Sequence, residues 1–281
     1  MKKIIPETFE AHWGGVRTWG HYFTAVEPTG IIVLIHGFGE HCERYTDSVV
    51  PVLLREGWAV LTFDLVGHGR SAGKRGHCRG YGQLMEQVRE ALAMARLRNP
   101  DSPLVLYGHS MGGNLALNFL LRHPGAADGI IASSPYLRLA FKPPAWKWHL
   151  GRVLHKLAPW VTFPSGLDPK GISRQPEEVA IYRSDPMIHD RVSPAYSFPV
   201  IQAGEWALQH AGELKQPLLL AHGTADPIID PEGSREFHGK ATGSELLMVE
   251  GGYHELHHDR DRGLLYEVVG DWLRRMALGR G

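Results

Sequence analysis

The chain has 281 residues, 43% of them hydrophobic and 21% charged, and its 30 Lys and Arg are matched by 30 Asp and Glu, so its formal net charge is zero. That suits one large domain, with or without an insertion, and the charge balance argues against a nucleic-acid partner. The opening MKKIIPETFE is too short an apolar run for a secretory signal, and no stretch reaches the roughly 18 uninterrupted apolar residues of a membrane span, so a cytoplasmic protein is expected. Cys42 and Cys78 lack the paired spacing of a metal knuckle and are read as free thiols.

In chain order, Glu7 to Ala11 and Val16 to Ala25 read as two strands around a Gly14-Gly15 turn. Continuous apolar runs follow at Ile31 to Ile35, Ala59 to Phe63, Leu104 to Tyr107, Gly129 to Ala132, Leu218 to Ala221 and Leu246 to Val249. Runs without polar alternation suit strands buried on both faces of a largely parallel sheet. Helical spacing appears between them: Leu84, Val88, Leu92 and Ala95; Leu115 to Leu121; and Leu265, Val268, Val269, Trp272 and Leu273. This alternation predicts an α/β fold. It breaks between Tyr136 and Pro199, where Pro143-Pro144, several tryptophans and WHLGRVLHKLAPW stand instead, so a helical cap over 137–198 is expected, inserted into a core formed by 1–136 and 199–281.

Gly108-His109-Ser110-Met111-Gly112 lies where an apolar strand meets a helical pattern. Gly-x-Ser-x-Gly in that context is a nucleophile elbow: positions two before and two after the serine must lack bulk, and the hydroxyl is held above the sheet. The alternative is an ordinary turn with Ser110 capping the helix. A catalytic serine needs a base to take its proton and an acid to orient that base, in the chain order Ser, Asp or Glu, His. Asp226, just after the Leu218 to Ala221 run, is the acid candidate, with Asp230 as rival. His254, after the last strand and two glycines, is the base candidate among 17 histidines, with His257 and His258 as alternatives.

Together IHGFGEHCERY (35–45), FDLVGHGRSAG (63–73), GHSMGG (108–113), HGTADPI (222–228) and YHELHHD (253–259) resemble the serine α/β-hydrolases of the monoacylglycerol lipase and lysophospholipase group, also described with the serine aminopeptidases. Within the cap only DPMIHD (185–190) matches. The resemblance implies an α/β-hydrolase fold, an ester hydrolase acting on monoacylglycerols or related lipid monoesters, and an oxyanion hole made by the backbone N–H groups of Phe38 and Met111. It implies no metal and no organic cofactor. Lysophospholipase, general carboxylesterase and S33-type peptidase activities are the alternatives.

Glu40 and Arg44 could touch a polar head group or pair with each other to stiffen their loop. His68 and Asp64 read as turn architecture. His254 to His258 also satisfies H-E-x-x-H, which would make a zinc protease if it lay in a helix; Gly251-Gly252 just upstream argue against that. A non-catalytic binding protein on the same fold is a third reading. In the cap, Trp146, Trp148 and Trp160, with Leu150, Val153, Leu154 and Leu157, form an apolar stripe that suits packing on the body, a mouth for an acyl chain, or transient contact with a membrane surface.

Overall fold

The computed structural model describes residues 5–24, 27–141 and 144–279. Pro143 and the side chain of Trp148 lie outside the described residues.

The elements, in order, are β1 (Glu7–Trp13), β2 (Val16–Phe23), β3 (Gly30–Ile35), α1 (Val50–Arg55), β4 (Trp58–Phe63), α2 (Tyr81–Arg98), β5 (Leu104–His109), α3 (Met111–Arg122), β6 (Gly129–Ser133), α4 (Ala145–Leu157), β7 (Phe163–Pro164), α5 (Pro176–Ser184), β8 (Arg191–Val192), α6 (Pro194–His210), β9 (Leu218–Gly223), α7 (Pro231–Lys240), β10 (Ser244–Val249) and α8 (Arg262–Ala277). Eight strands make one sheet in the order β1-β2-β4-β3-β5-β6-β9-β10. The pairings of β2 with β1 and with β4 are antiparallel, and all those from β4 to β10 are parallel. This is the mostly parallel sheet the apolar runs predict.

The runs are continuous because both faces are covered. In β3, Ile31, Val33 and Ile35 join one core while Ile32 and Leu34 join the other; in β5, Leu104 and Leu106 face one way and Val105 and Tyr107 the other. Leu84 of α2, Leu115 of α3 and Leu208 of α6 close the first core, and Val50 of α1 and Trp272 of α8 the second. Edge strand β10 is only half-buried. Both cysteines are buried free thiols.

After β3 the chain crosses to β4 on one side; it then returns to place β5 on the other side of β3. At such a reversal the loops leaving the two strands part and open a crevice at their carboxyl ends. The loops after β3 and β5, which hold Phe38 and Ser110, meet there.

Two details differ from expectation. The 137–198 segment is not wholly helical, since β7 and β8 form a two-residue antiparallel pair. Its expected end at residue 198 falls inside α6, which runs through Pro199. A proline at that place forfeits one helical hydrogen bond. The helix persists because Tyr196, Val200, Ala207 and Leu208 pack into the first core on both sides of the proline.

Candidate active site

Ser110 sits between β5 and α3 with φ 52° and ψ −114°, a conformation that costs a non-glycine residue on the order of 1–3 kcal/mol. The glycines around it are required by close approach. A Cβ on Gly108 would lie 2.2 Å from the Gly112 carbonyl oxygen, and one on Gly112 would lie 2.1 Å from that of Ile35. Although Ser110 holds the N-cap position of α3, its side chain makes no capping hydrogen bond. The capping alternative is thereby set aside. The turn is fixed instead by backbone bonds, Ser110 N–H to the Ser133 carbonyl at 2.9 Å and Tyr136 N–H to the Ser110 carbonyl at 2.9 Å.

Asp226 lies in the loop after β9. Its Oδ2 accepts from His254 Nδ1 at 2.7 Å and from His222 Nε2 at 3.1 Å, while Oδ1 accepts the backbone N–H groups of Ile228 and Ile229 at 2.8 and 3.0 Å. Burial alone would raise the carboxyl pKa, but the charge of His254 and the hydrogen bonds from His222 and His254 hold it well below the usual carboxylate range. His254 is shifted the opposite way: burial works against its charged form, yet the Asp226 charge and hydrogen bond prevail and raise it. Because an ionised carboxylate can only accept, Nδ1 of His254 carries the proton and Nε2 is left as the basic nitrogen. The His254 ring packs on that of His109, the neighbour of Ser110, with centroids 4.8 Å apart. Ser134, beyond β6, donates to the His254 carbonyl at 2.8 Å and so ties that loop to the sheet.

The rival residues are engaged elsewhere. Asp230 is the N-cap of α7, accepting from Glu232 N–H at 3.0 Å. His258 Nδ1 meets Glu255 at 2.9 Å, and His257 stacks on Tyr45 with centroids 4.8 Å apart. Neither is bonded to Asp226. His222 did not emerge from the sequence reading as a site residue, although the His-Gly pair at the end of β9 marks the place.

Met111 opens α3, so its N–H belongs to the first turn, where no intrahelical acceptor exists. Across from it the loop after β3 passes so close that a Cβ on Gly37 would lie 3.3 Å from Ser110 Cβ. Glu40 clamps this loop by accepting from Gly37 N–H at 2.6 Å and Tyr45 Oη–H at 2.7 Å. The DPMIHD stretch docks on it from the cap: His189 N–H donates to the Gly39 carbonyl at 2.8 Å, and His41 Nε2 meets Asp185 at 2.8 Å. Beside Phe38 lies a cavity of about 200 Å³, lined also by Leu167, Tyr182, Ile188 and His189.

Glu40 and Arg44 are paired with each other and turned inward. Arg44 Nε lies 2.9 Å from Glu40, its Nη2 pairs with Glu255 and lies 3.0 Å from His258 Nδ1, and both side chains are buried. The loop-stiffening alternative therefore describes them, enlarged into a buried network that joins the Phe38 loop to the residue after His254. Burial opposes ionisation of Glu255, but the Arg44 charge and the His258 hydrogen bond hold its pKa down at about 2.

The H-E-x-x-H segment is not an α-helix: a short 3₁₀ turn covers Leu256–His258 and α8 begins only at Arg262. Glu255, His257 and His258 do bring ligand atoms within 4.8 Å of one another, but the Arg44 guanidinium already lies against two of them. Asp64 and His68 hold turns, Asp64 accepting from Cys42 and Arg70 N–H at 2.8 and 2.7 Å and His68 Nδ1 meeting the Val66 carbonyl at 3.0 Å.

On the cap, α4 carries Trp146, Leu150, Val153 and Leu157 on one side, at 63%, 48%, 51% and 73% exposure. None of the described helices is long and apolar enough to cross a membrane.

A parallel sheet with an elbow serine after β5 and an Asp–His pair after β9 and β10 defines an α/β-hydrolase. The profile of the family described as "Serine aminopeptidase, S33" matches residues 26–261, and the chain belongs to that family. It is 34% identical to a monoacylglycerol lipase of Mycolicibacterium smegmatis over 92% of this chain and 94% of that protein, and 30% identical to the phospholipase YtpA of Bacillus subtilis over 87% and 95%. The crystal structure of a Paleococcus ferrophilus monoacylglycerol lipase superposes with a TM-score of 0.84 at 34% identity, covering 95% of this chain and 98% of that one.

Proposed function

We propose that the protein is a serine ester hydrolase of monoacylglycerols, working through an acyl-enzyme on Ser110. Ser110 Oγ attacks the ester carbonyl while Nε2 of His254 takes its proton. The tetrahedral oxyanion is received by the N–H groups of Phe38 and Met111. His254 then gives the proton to the departing glycerol oxygen as the ester C–O bond breaks. Water, deprotonated by the same histidine, attacks the acyl-enzyme and frees the fatty acid, and Ser110 regains its proton. Asp226 stays ionised throughout and stabilises the imidazolium.

The observation that carries this reading is the 2.7 Å bond from His254 to a carboxylate held ionised, with the His254 ring packed on that of His109, whose neighbour Ser110 stands in a strained turn and makes no capping bond. The relatives named as monoacylglycerol lipases supply the substrate class. The exposed apolar stripe of α4 suits entry of an acyl chain from a lipid surface. The test is a hydrolysis panel of monoacylglycerols, lysophospholipids, p-nitrophenyl esters and aminoacyl amides, run on the native chain and Ser110→Ala. Monoacylglycerol turnover abolished by the substitution is expected; turnover of amides alone would establish a peptidase instead, and preferential turnover of lysophospholipids a lysophospholipase.

A further inference from the structure

Asp226 Oδ2 accepts two imidazoles at once, and only one of them belongs to the reaction just described. The second, His222, is the penultimate residue of β9, wholly buried, with Nε2 3.1 Å from Asp226 Oδ2 and Nδ1 2.7 Å from Ser234 Oγ in the first turns of α7. Since the carboxylate can only accept, the His222 proton shared with it sits on Nε2, and a neutral ring then accepts from the Ser234 hydroxyl at Nδ1. The carboxylate thus sets the tautomer, Ser234 holds the ring by its other nitrogen, and His222 in turn anchors Asp226.

We propose that His222, held by Ser234, is a positioning residue for the hydrolytic reaction: it anchors the Asp226 carboxylate and draws part of its charge away from His254. The inference rests on the Asp226–His254 pair acting as proposed above. Two physical consequences follow. With both backbone N–H groups on Oδ1 and both rings on Oδ2, the carboxylate cannot rotate without breaking a buried bond, so its aim at His254 Nδ1 is set. The second donor on Oδ2 also weakens the pull of that oxygen on the His254 proton, which keeps the base from becoming too fully protonated near neutral pH.

The experiment compares His222→Phe, His222→Gln and Ser234→Ala with the native chain, measuring kcat and KM across pH on a soluble ester and titrating His254 by NMR through its Nδ1–H resonance. Phe removes the donor; Gln puts an amide N–H near the place of Nε2. His222→Phe is expected to lose about tenfold in kcat, the scale of one hydrogen bond to a charged group, with KM within about twofold. Its acid limb and the His254 titration should move to higher pH, because the undivided Asp226 charge then acts on His254. His222→Gln should restore most of the rate, and Ser234→Ala should shift the titration in the same direction by less. The proposal fails if His222→Phe keeps the native kcat and acid limb, or if His222→Gln is as impaired as Phe, which would leave only a packing role. Should His222→Phe not fold, an unmoved His254 titration in Ser234→Ala overturns it by itself. Ser110→Ala, run alongside, separates the two readings: full activity there rejects the acyl-enzyme, while the titration still reports whether His222 acts on the pair.

Discussion

Helices α3 and α4 each carry many apolar side chains, yet they stand at opposite ends of the burial scale. Every residue of α3 from Met111 to Leu121 is buried, between the sheet and helices α2 and α6. Helix α4 turns Trp146, Leu150, Val153 and Leu157 outward. The difference is one of place in the topology: α3 follows the central strand and is enclosed by its neighbours, whereas α4 belongs to an insertion that can rest on the body along one side only. The first holds Ser110, the proposed nucleophile, at its start. The second leaves four large apolar side chains exposed.

If α3 is the fixed platform, substitutions at its start should be far more damaging than any on α4. Ser110→Ala should lower kcat by about 10⁵- to 10⁶-fold with unchanged folding, checked by steady-state rates and circular dichroism; a loss under tenfold would break the contrast. Asp226→Asn should cost about 10⁴-fold. It should also move the pH profile. The raised pKa of His254 places the native acid limb above the ordinary histidine value of 6.5, since the base must be neutral, and without the Asp226 charge that limb should fall to lower pH.

Gly112→Ala tests the platform through stability. Its Cβ would meet the carbonyl oxygens of Ile35 and His36 at 2.1 and 2.7 Å, and neither backbone can yield cheaply. A loss of about 3 kcal/mol or more is expected from urea unfolding. Leu157→Ser sharpens the other side of the comparison. On a residue 73% exposed, it should change stability by less than about 0.5 kcal/mol. It should nevertheless reduce hydrolysis of vesicle-borne monoacylglycerol several-fold, to as much as about tenfold, the scale of losing one apolar side chain from lipid, with turnover of a short soluble ester unaffected.

What could be read from the sequence follows the range of the interactions involved. The elbow was legible because its constraint is local: three glycines and a serine within six residues, set between a strand pattern and a helix pattern. The choice of Asp226 over Asp230 could have been firmer, since Asp230-Pro231-Glu232 carries the marks of a helix start, an N-cap acid followed by proline at the first helical position, and the structure has Asp230 in that role. The Arg44–Glu255 contact was beyond reach because it joins residues 211 apart in sequence. His222 escaped for a different reason: the His-Gly pair marks the end of β9, but only the folded loop after it brings Asp226 within 3.1 Å of the ring. The cap's end was placed at residue 198 from the change of period along the chain; α6 runs across that point, because packing on both sides of Pro199 outweighs the single lost bond.

That unbroken α6 also constrains how the molecule could open. Its N-terminal end supports the cap and its C-terminal end is embedded in the body, so this border acts as a beam, not a joint. On that border His155 Nδ1 of α4 lies 3.1 Å from the Pro194 carbonyl at the first turn of α6, and Asn118 of α3 donates to the Ala203 carbonyl of α6 at 3.1 Å, so one continuous helix sets the cap's position over the elbow.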